Sequence, residues 1–119
     1  MTGVLFLLWS PGTTRELEHI MARWVAMFED DESAVGVREK YTQDHLIYLS
    51  TNKSKIVLAG GLRAEPGGKF DGGLWILEVA DRKEAMHYVE NDPFFKNGLR
   101  KSAQVYAWGK AFPEVMVTL

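Results

Sequence analysis

The chain contains no cysteine. Disulfides, thiolate nucleophiles and cysteine-built zinc sites are therefore all excluded. Basic residues are not in excess: 14 Lys and Arg stand against 16 Asp and Glu, a net charge of −2. A nucleic-acid binder would carry its Lys and Arg as a cationic face, so no nucleic-acid partner is expected. The apolar run Val4 to Trp9 is far too short to span a membrane, and no cationic stretch precedes it. The expectation is a cytoplasmic protein with no membrane partner. There are only four prolines, no Pro/Ser-rich linker and no repeat, so the 119 residues are expected to form a single domain, 1–119. The three histidines, His19, His45 and His87, do not stand three or four residues apart and form no HExxH, so no metal site is expected. The glycine-rich segment Gly60 to Gly73 lacks GxxxxGK[ST] and lies between two strand-like stretches, so it is no phosphate loop and no cofactor is expected. It reads as a hairpin connection or as a lip over a pocket.

Val4-Leu5-Phe6-Leu7-Leu8-Trp9, closed by Ser10-Pro11-Gly12, reads as a first strand. Thr13 to Glu16 is a capping box, and Leu17, Ile20, Met21, Trp24, Val25 and Phe28 follow at helical spacing. Four acids, Glu29 to Glu32, then oppose the macrodipole and should end that helix, with Ser33 capping the next. The second helix is predicted over about Ala34 to Ser50, with Tyr41, His45, Tyr48 and Leu49 on one face. Strands are predicted at Ile56 to Ala59, Leu74 to Val79 and Gln104 to Phe112. Between the last two, Asp81-x-x-Glu84 opens a helix that Asn91-Asp92-Pro93 stops, because the residue before a proline avoids the helical region.

The resulting order is an α+β, ferredoxin-like β-α-β-β-α-β plan with an extra helix after the first strand. Such a sheet has helices on one face only. Its strands here carry apolar residues on both faces, as Trp75 against Ile76, and a bare apolar face calls for a partner, most simply a second copy.

His45 is the most informative residue for chemistry. A histidine in an apolar wall beside a carboxylate serves as a general base; a core histidine making one hydrogen bond is the alternative. Asp92 is a helix-stop aspartate in its own right. Arg38, two turns before His45, offers a planar fork to a substrate anion, or an ordinary surface ion pair with a neighbour such as Asp44.

Arg38…His45-Leu46…Tyr48-Leu49, Val57-Leu58-Ala59-Gly60-Gly61-Leu62, Gly72-Gly73-Leu74-Trp75-Ile76, Ala80-Asp81-Arg82-Lys83-Glu84-Ala85, Asp92-Pro93-Phe94 with Gly98-Leu99, and Tyr106…Trp108 together resemble the YCII-related (YciI-like) family. The match runs in order from about Arg38 to Phe112, plus the first strand. The resemblance implies a dimeric α/β barrel with a pocket in each subunit, faced by a His–Asp pair that here is His45 and Asp92. Arg38, Tyr41, Gly60 and Phe94 are the candidate substrate-binding residues. Some members are lyases of aromatic degradation, of the dehydrochlorinase kind. The implied function is a cofactor-free acid/base enzyme acting on a small, oxygenated or aromatic molecule; a non-catalytic small-ligand binding protein is the alternative. Two features depart from the family: residues 12–37 read as a helical insertion, and Gly61 stands where many members carry proline.

Overall fold

The structure is a computed structural model, and it describes residues 22–119. The expected strand at Val4 to Trp9, the capping box at Thr13 to Glu16 and the apolar residues Leu17, Ile20 and Met21 lie outside the described residues.

The first described element, β1, is Arg23–Asp30. This corrects the expectation of a helix through Trp24, Val25 and Phe28, and of a helical insertion over the described part of 12–37. The two periods overlap at this point. Trp24 and Phe28 are four apart, so they share a face in a helix and in a strand alike. Ala26 and Phe28 are buried with Trp24 packed beside them, whereas Met27 between them is exposed, which is the alternation of a strand. The acids that would strain a helix C-terminus sit without that penalty at a strand end.

A 3₁₀ turn, Glu32–Ala34, leads into α1, Val35–Thr51. Ser33 does not cap α1. Its backbone N–H and hydroxyl instead donate to Asp31 Oδ1 at 2.9 and 2.7 Å, which holds the Asp31 carboxyl below the usual carboxylate range. The inward stripe of α1 is Arg38, Tyr41, His45, Tyr48 and Leu49, all half-buried at helical spacing.

β2, Ile56–Leu62, and β3, Gly72–Glu78, form a hairpin. Both reach further into the glycine-rich segment than expected, which leaves 63–71 as the loop. Then come α2, Arg82–Glu90, the one-turn α3, Pro93–Lys96, and β4, Arg100–Ala107. α2 opens as its D-x-x-E requires: Asp81 accepts from the Glu84 N–H and Glu84 from the Ala80 N–H. β4 begins four residues earlier than predicted and ends at Ala107; Trp108 and Phe112 lie beyond it, exposed.

The sheet order is β2-β3-β1-β4 with every neighbouring pair antiparallel, which is the ferredoxin-like arrangement. β3 and β1 are the two central strands, and Arg23–Asp30 is the first strand of the plan, the place assigned from sequence to Val4–Trp9. Ala26, Phe28, Trp75, Leu77, Ile56 and Val105 point to the helices and meet Ala85 and Val89 of α2. Val25, Met27, Leu58, Leu74, Ile76 and Tyr106 lie on the opposite face, where no helix among the described residues covers them.

One irregularity re-aims a buried arginine. Along β4, Ser102, Gln104 and Tyr106 pair with Glu29, Met27 and Val25 on the uncovered face. Regular alternation would put Arg100 there too. The register shifts between Glu29 and Asp30, so that Asp30 pairs with Arg100 and Lys101 is the extra residue. Such a bulge turns the chain by one step and re-aims the side chain beyond it. Arg100 consequently points to the helix side.

Candidate active site

His45 Nδ1 lies 2.6 Å from Asp92 Oδ1. Three elements produce this contact. His45 is on the inner stripe of α1. Asp92 occupies the junction where Pro93 forces α2 to end and α3 to begin. It stands at the N-cap of α3, yet its carboxylate makes no capping hydrogen bond and turns to the imidazole instead. The third is Phe94, whose ring stacks on the His45 ring with centroids 4.0 Å apart and planes 15° apart. Gly98, at φ +80°, lets the chain reverse after α3, and buried Leu99 closes the turn with its N–H on the Phe94 carbonyl.

The Asp92 side chain is 0% exposed and that of His45 12%. A carboxylate accepts only, so Nδ1 carries the proton and Nε2 presents the lone pair. The short N–H···O contact is that of a charge-assisted bond. Asp92 Oδ2 is buried and has no hydrogen-bond partner among the described residues. Tyr48, one turn beyond His45, donates its hydroxyl to the Tyr88 carbonyl at 2.8 Å. Burial first, then the negative charge of Asp92, then Tyr88 push its pKa up to about 12. Tyr48 therefore stays protonated and is a fixed donor, not a base.

Arg38 lies two turns before His45. Its Nη2 is 2.6 Å from Asp30 Oδ2 and approaches the Gly72 carbonyl at 3.4 Å. The ion-pair partner is thus Asp30 at the end of β1, not Asp44. Arg100 binds the other oxygen of Asp30 at 2.8 Å. The Arg38 and Arg100 guanidinium carbons lie 5.1 and 5.2 Å from the centroid of the Phe94 ring. Sequence reasoning missed both Asp30 and Arg100. Asp30 sat inside an acidic run read as a helix junction, and Arg100 lay ahead of the strand predicted from Gln104, where regular parity would also have put it on the wrong face.

A cavity of about 470 Å³ opens beside Arg38, a size usual for small-molecule sites. Its wall includes Asp30, Arg38, Leu99 and the loop residues Gly68 to Asp71. The glycine-rich segment is thus a lip as well as a connection. Phe70 of that lip lies over Gly61, where a Cβ would come within 2.6 Å of the ring; this gives Gly61 a steric reason. Arg38 joins the cavity to the dyad, since it lines the one and lies over the ring on which His45 stacks. Among the described residues no cluster of three His, Asp or Glu could hold a metal ion, and no helix is long and apolar enough to cross a membrane.

The structure brings His45, Asp92, Phe94 and Arg38 together. Tyr41 is half-buried on the same stripe of α1, and the Lys40 ammonium lies 5.4 Å from its ring centroid. Gly60 is not at this site. It pairs with Leu74 in the register that faces away from the helices, and a Cβ there would meet nothing within 4 Å.

Three comparisons bear on the site. The model of the YCII-related domain matches residues 22–109, which start at β1 and include every residue of the cluster above. The comparison with curated proteins gave no match. Among solved structures the chain resembles the 5-chloro-2-hydroxyhydroquinone dehydrochlorinase of Burkholderia phenoliruptrix in complex with 2,5-dihydroxybenzoquinone. The two share 30% identity over 73% of this chain and 93% of that one, with a TM-score of 0.66.

Proposed function

The chain belongs to the YCII-related family, and from that premise we propose that it is a cofactor-free acid/base enzyme in which His45 and Asp92 act as one unit. The observation that carries this reading is the 2.6 Å contact between His45 Nδ1 and a fully buried Asp92 carboxylate that forgoes its helix cap. A buried carboxylate costs several kcal/mol unless its charge is used. Here it fixes the tautomer, leaves Nε2 as the basic atom and stabilises the imidazolium formed when Nε2 takes a proton.

The reaction class is elimination or proton transfer on a small oxygenated ring. In an elimination, one ring hydroxyl gives up its proton and the ring carbon that bears the leaving group takes one and becomes tetrahedral; Nε2 then takes the proton of a second hydroxyl, that oxygen's pair forms the carbonyl and shifts the ring double bond, and the leaving group departs with its bonding pair. Chloride is such a leaving group for the dehydrochlorinase that this chain resembles. Arg38, between cavity and dyad, is the residue to orient an ionising oxygen, although its pairing with Asp30 makes it a shared cation, not a free one. Phe94 supplies a flat apolar wall. Gly60 has no part in this reading.

The uncovered sheet face supports a homodimer. Met27, Leu58, Leu62 and Tyr106 are exposed there, and a second copy of the same face is the simplest cover. The reading also takes the reaction to be cytoplasmic.

The test is chloride release from 5-chloro-2-hydroxyhydroquinone, with proton exchange on 2,5-dihydroxybenzoquinone as a second probe. Wild-type turnover that falls in His45→Ala supports an enzyme. Tight binding of both probes without conversion, altered in affinity only by His45→Ala, replaces it with the small-ligand binding protein.

A further inference from the structure

We propose that Arg100 is a positioning residue for the dyad: it is the buried counter-charge for the Asp92 carboxylate that faces His45, and the bulge at Lys101 aims it to that side. The proposal rests on the reading of His45 and Asp92 as a working pair.

Burial sets the problem. The side chains of Asp92 and Arg100 are 0% and 3% exposed, so neither charge is solvated by bulk water. An ionised carboxylate in such a place needs compensation. One Asp92 oxygen receives the His45 N–H, which is a dipole and not a charge while the ring is neutral. The other oxygen has no hydrogen-bond partner among the described residues. What remains is a cation through space.

Charge balance identifies it. The interior beside Phe94 holds two carboxylates, Asp30 and Asp92, and two guanidiniums, Arg38 and Arg100. Asp30 already has Arg38 at 2.6 Å. A second arginine at 2.8 Å exceeds what one carboxylate needs. Without Arg100, Asp92 and Asp30 would share a single cation, and that cation faces the cavity.

Geometry fits this role. The Arg100 guanidinium carbon lies 4.3 Å from the Phe28 ring centroid and 5.2 Å from that of Phe94, whose ring is the one stacked on His45. Its Nε is buried with no partner, as is Asp92 Oδ2. Gly73 leaves it room, since a Cβ there would approach Arg100 Nη2 to 3.3 Å. His45 of α1 touches Asp92, Tyr48 of α1 donates to the Tyr88 carbonyl of α2, and Arg100 of β4 pairs with Asp30 of β1, which Arg38 also binds. Burial lowers the basicity of Arg100, while Asp30 and then Asp92 hold it up.

The bulge is the strongest sign of purpose. A regular β4 would present Arg100 on the uncovered face, where it would serve neither Asp30 nor Asp92. One extra residue transfers it to the helix side.

The experiment reads the His45 tautomer by ¹⁵N NMR of the unliganded protein above neutral pH, and turnover of 5-chloro-2-hydroxyhydroquinone beside it. Four variants are needed: Arg100→Lys, Arg100→Gln, Asp30→Asn, and the double variant Arg100→Gln/Asp30→Asn. The double variant guards against misfolding, because it removes Arg100 without stranding the Asp30 charge. Arg100→Lys and Asp30→Asn should keep the proton on Nδ1. Arg100→Gln and the double variant should lose that preference, and kcat should fall by roughly 10–100-fold, the usual effect of removing a partner that orients a histidine through another group. Wild-type tautomer and kcat in a folded Arg100→Gln or in the double variant overturn the proposal. Loss of the Nδ1–H form in Asp30→Asn also overturns it, since Arg100 would then act only through Asp30. If wild type and His45→Ala turn over equally, the functional reading fails instead, and the tautomer still decides the role of Arg100.

Discussion

The two faces of the sheet invert the usual arrangement. The covered face holds a fully buried aspartate, a histidine, and an ion cluster of Asp30, Arg38 and Arg100. The uncovered face has Met27, Leu58, Leu62 and Tyr106 in the open. Charges inside and apolar groups outside both cost stability in an isolated subunit. The difference shows where each face is completed. The inner face is completed by its own opposite charges, so it can be built only from residues that arrive in the right order along the chain. The outer face requires little more than apolar alternation, and a symmetric partner can supply the rest.

The sharpest way to break the inner face is to remove its base or the carboxylate behind it. His45→Ala and Asp92→Asn should each lower turnover by about 10²–10⁴-fold, the range typical of a positioned general base. The double variant should be hardly worse than the worse single one, because the residues act together. A double variant that shows the product of both losses would mean two independent roles and would end the dyad assignment.

Next in size is packing. Trp75 and Ile76 are neighbours in sequence on opposite faces of β3. Trp75 packs edge-on against Phe28 at 4.9 Å and lies 6.5 Å from the His45 ring. Trp75→Ala should cost about 3–5 kcal/mol, as large aromatic truncations in a core do. The loss should appear in denaturant unfolding whatever the protein concentration. A loss below about 1 kcal/mol would show that the inner face is not the core.

The outer face should respond differently. Leu58→Asp adds a charge where the side chain is half exposed, so the subunit itself should change by no more than about 0.5 kcal/mol, as is usual for surface sites. The association should suffer. Light scattering should show a dimer for wild type and a monomer for the variant at the same micromolar concentration. A wild-type monomer would leave the outer face without its proposed cover.

Legibility in the sequence follows the same division. α1 was readable because Tyr41, His45, Tyr48 and Leu49 keep a helical period even though the histidine among them is polar. α2 was readable from its capping box, and its end from Pro93. The His–Asp pair came from ordered resemblance, since nothing in the spacing of 45 and 92 says that they touch. β1 was misread because an i, i+4 aromatic pair satisfies both periods and only the alternation of Ala26 and Met27 separates them. Arg100 was invisible for a deeper reason. A bulge is a one-residue change of phase, and without the partner strand no local pattern marks it. Gly60 was assigned to the site because the glycine turn belongs to the resemblance, whereas strand parity puts it on the other face.

The smallest effect is the most specific to the inner face. Tyr48 has a pKa pushed up to about 12 by burial, by the Asp92 charge and by Tyr88. A tyrosine in the unfolded chain ionises near about 10. The folded state therefore holds the phenolic proton more tightly than the unfolded state. The stability this contributes is fully present below about pH 10 and is lost as the pH rises towards 12. Tyr48→Phe removes both the shift and the hydrogen bond to the Tyr88 carbonyl. Its unfolding curve at neutral pH should move slightly, and its extra loss between pH 10 and 12 should be smaller than that of wild type. Phenolate absorbance should show one late-ionising tyrosine in the wild type that disappears in Tyr48→Phe. In Asp92→Asn the same tyrosine should ionise earlier, because one of the charges that opposes its anion is gone. An unchanged late ionisation in Asp92→Asn would mean that the Asp92 charge does not reach Tyr48, and that burial alone sets the environment of this wall of the site.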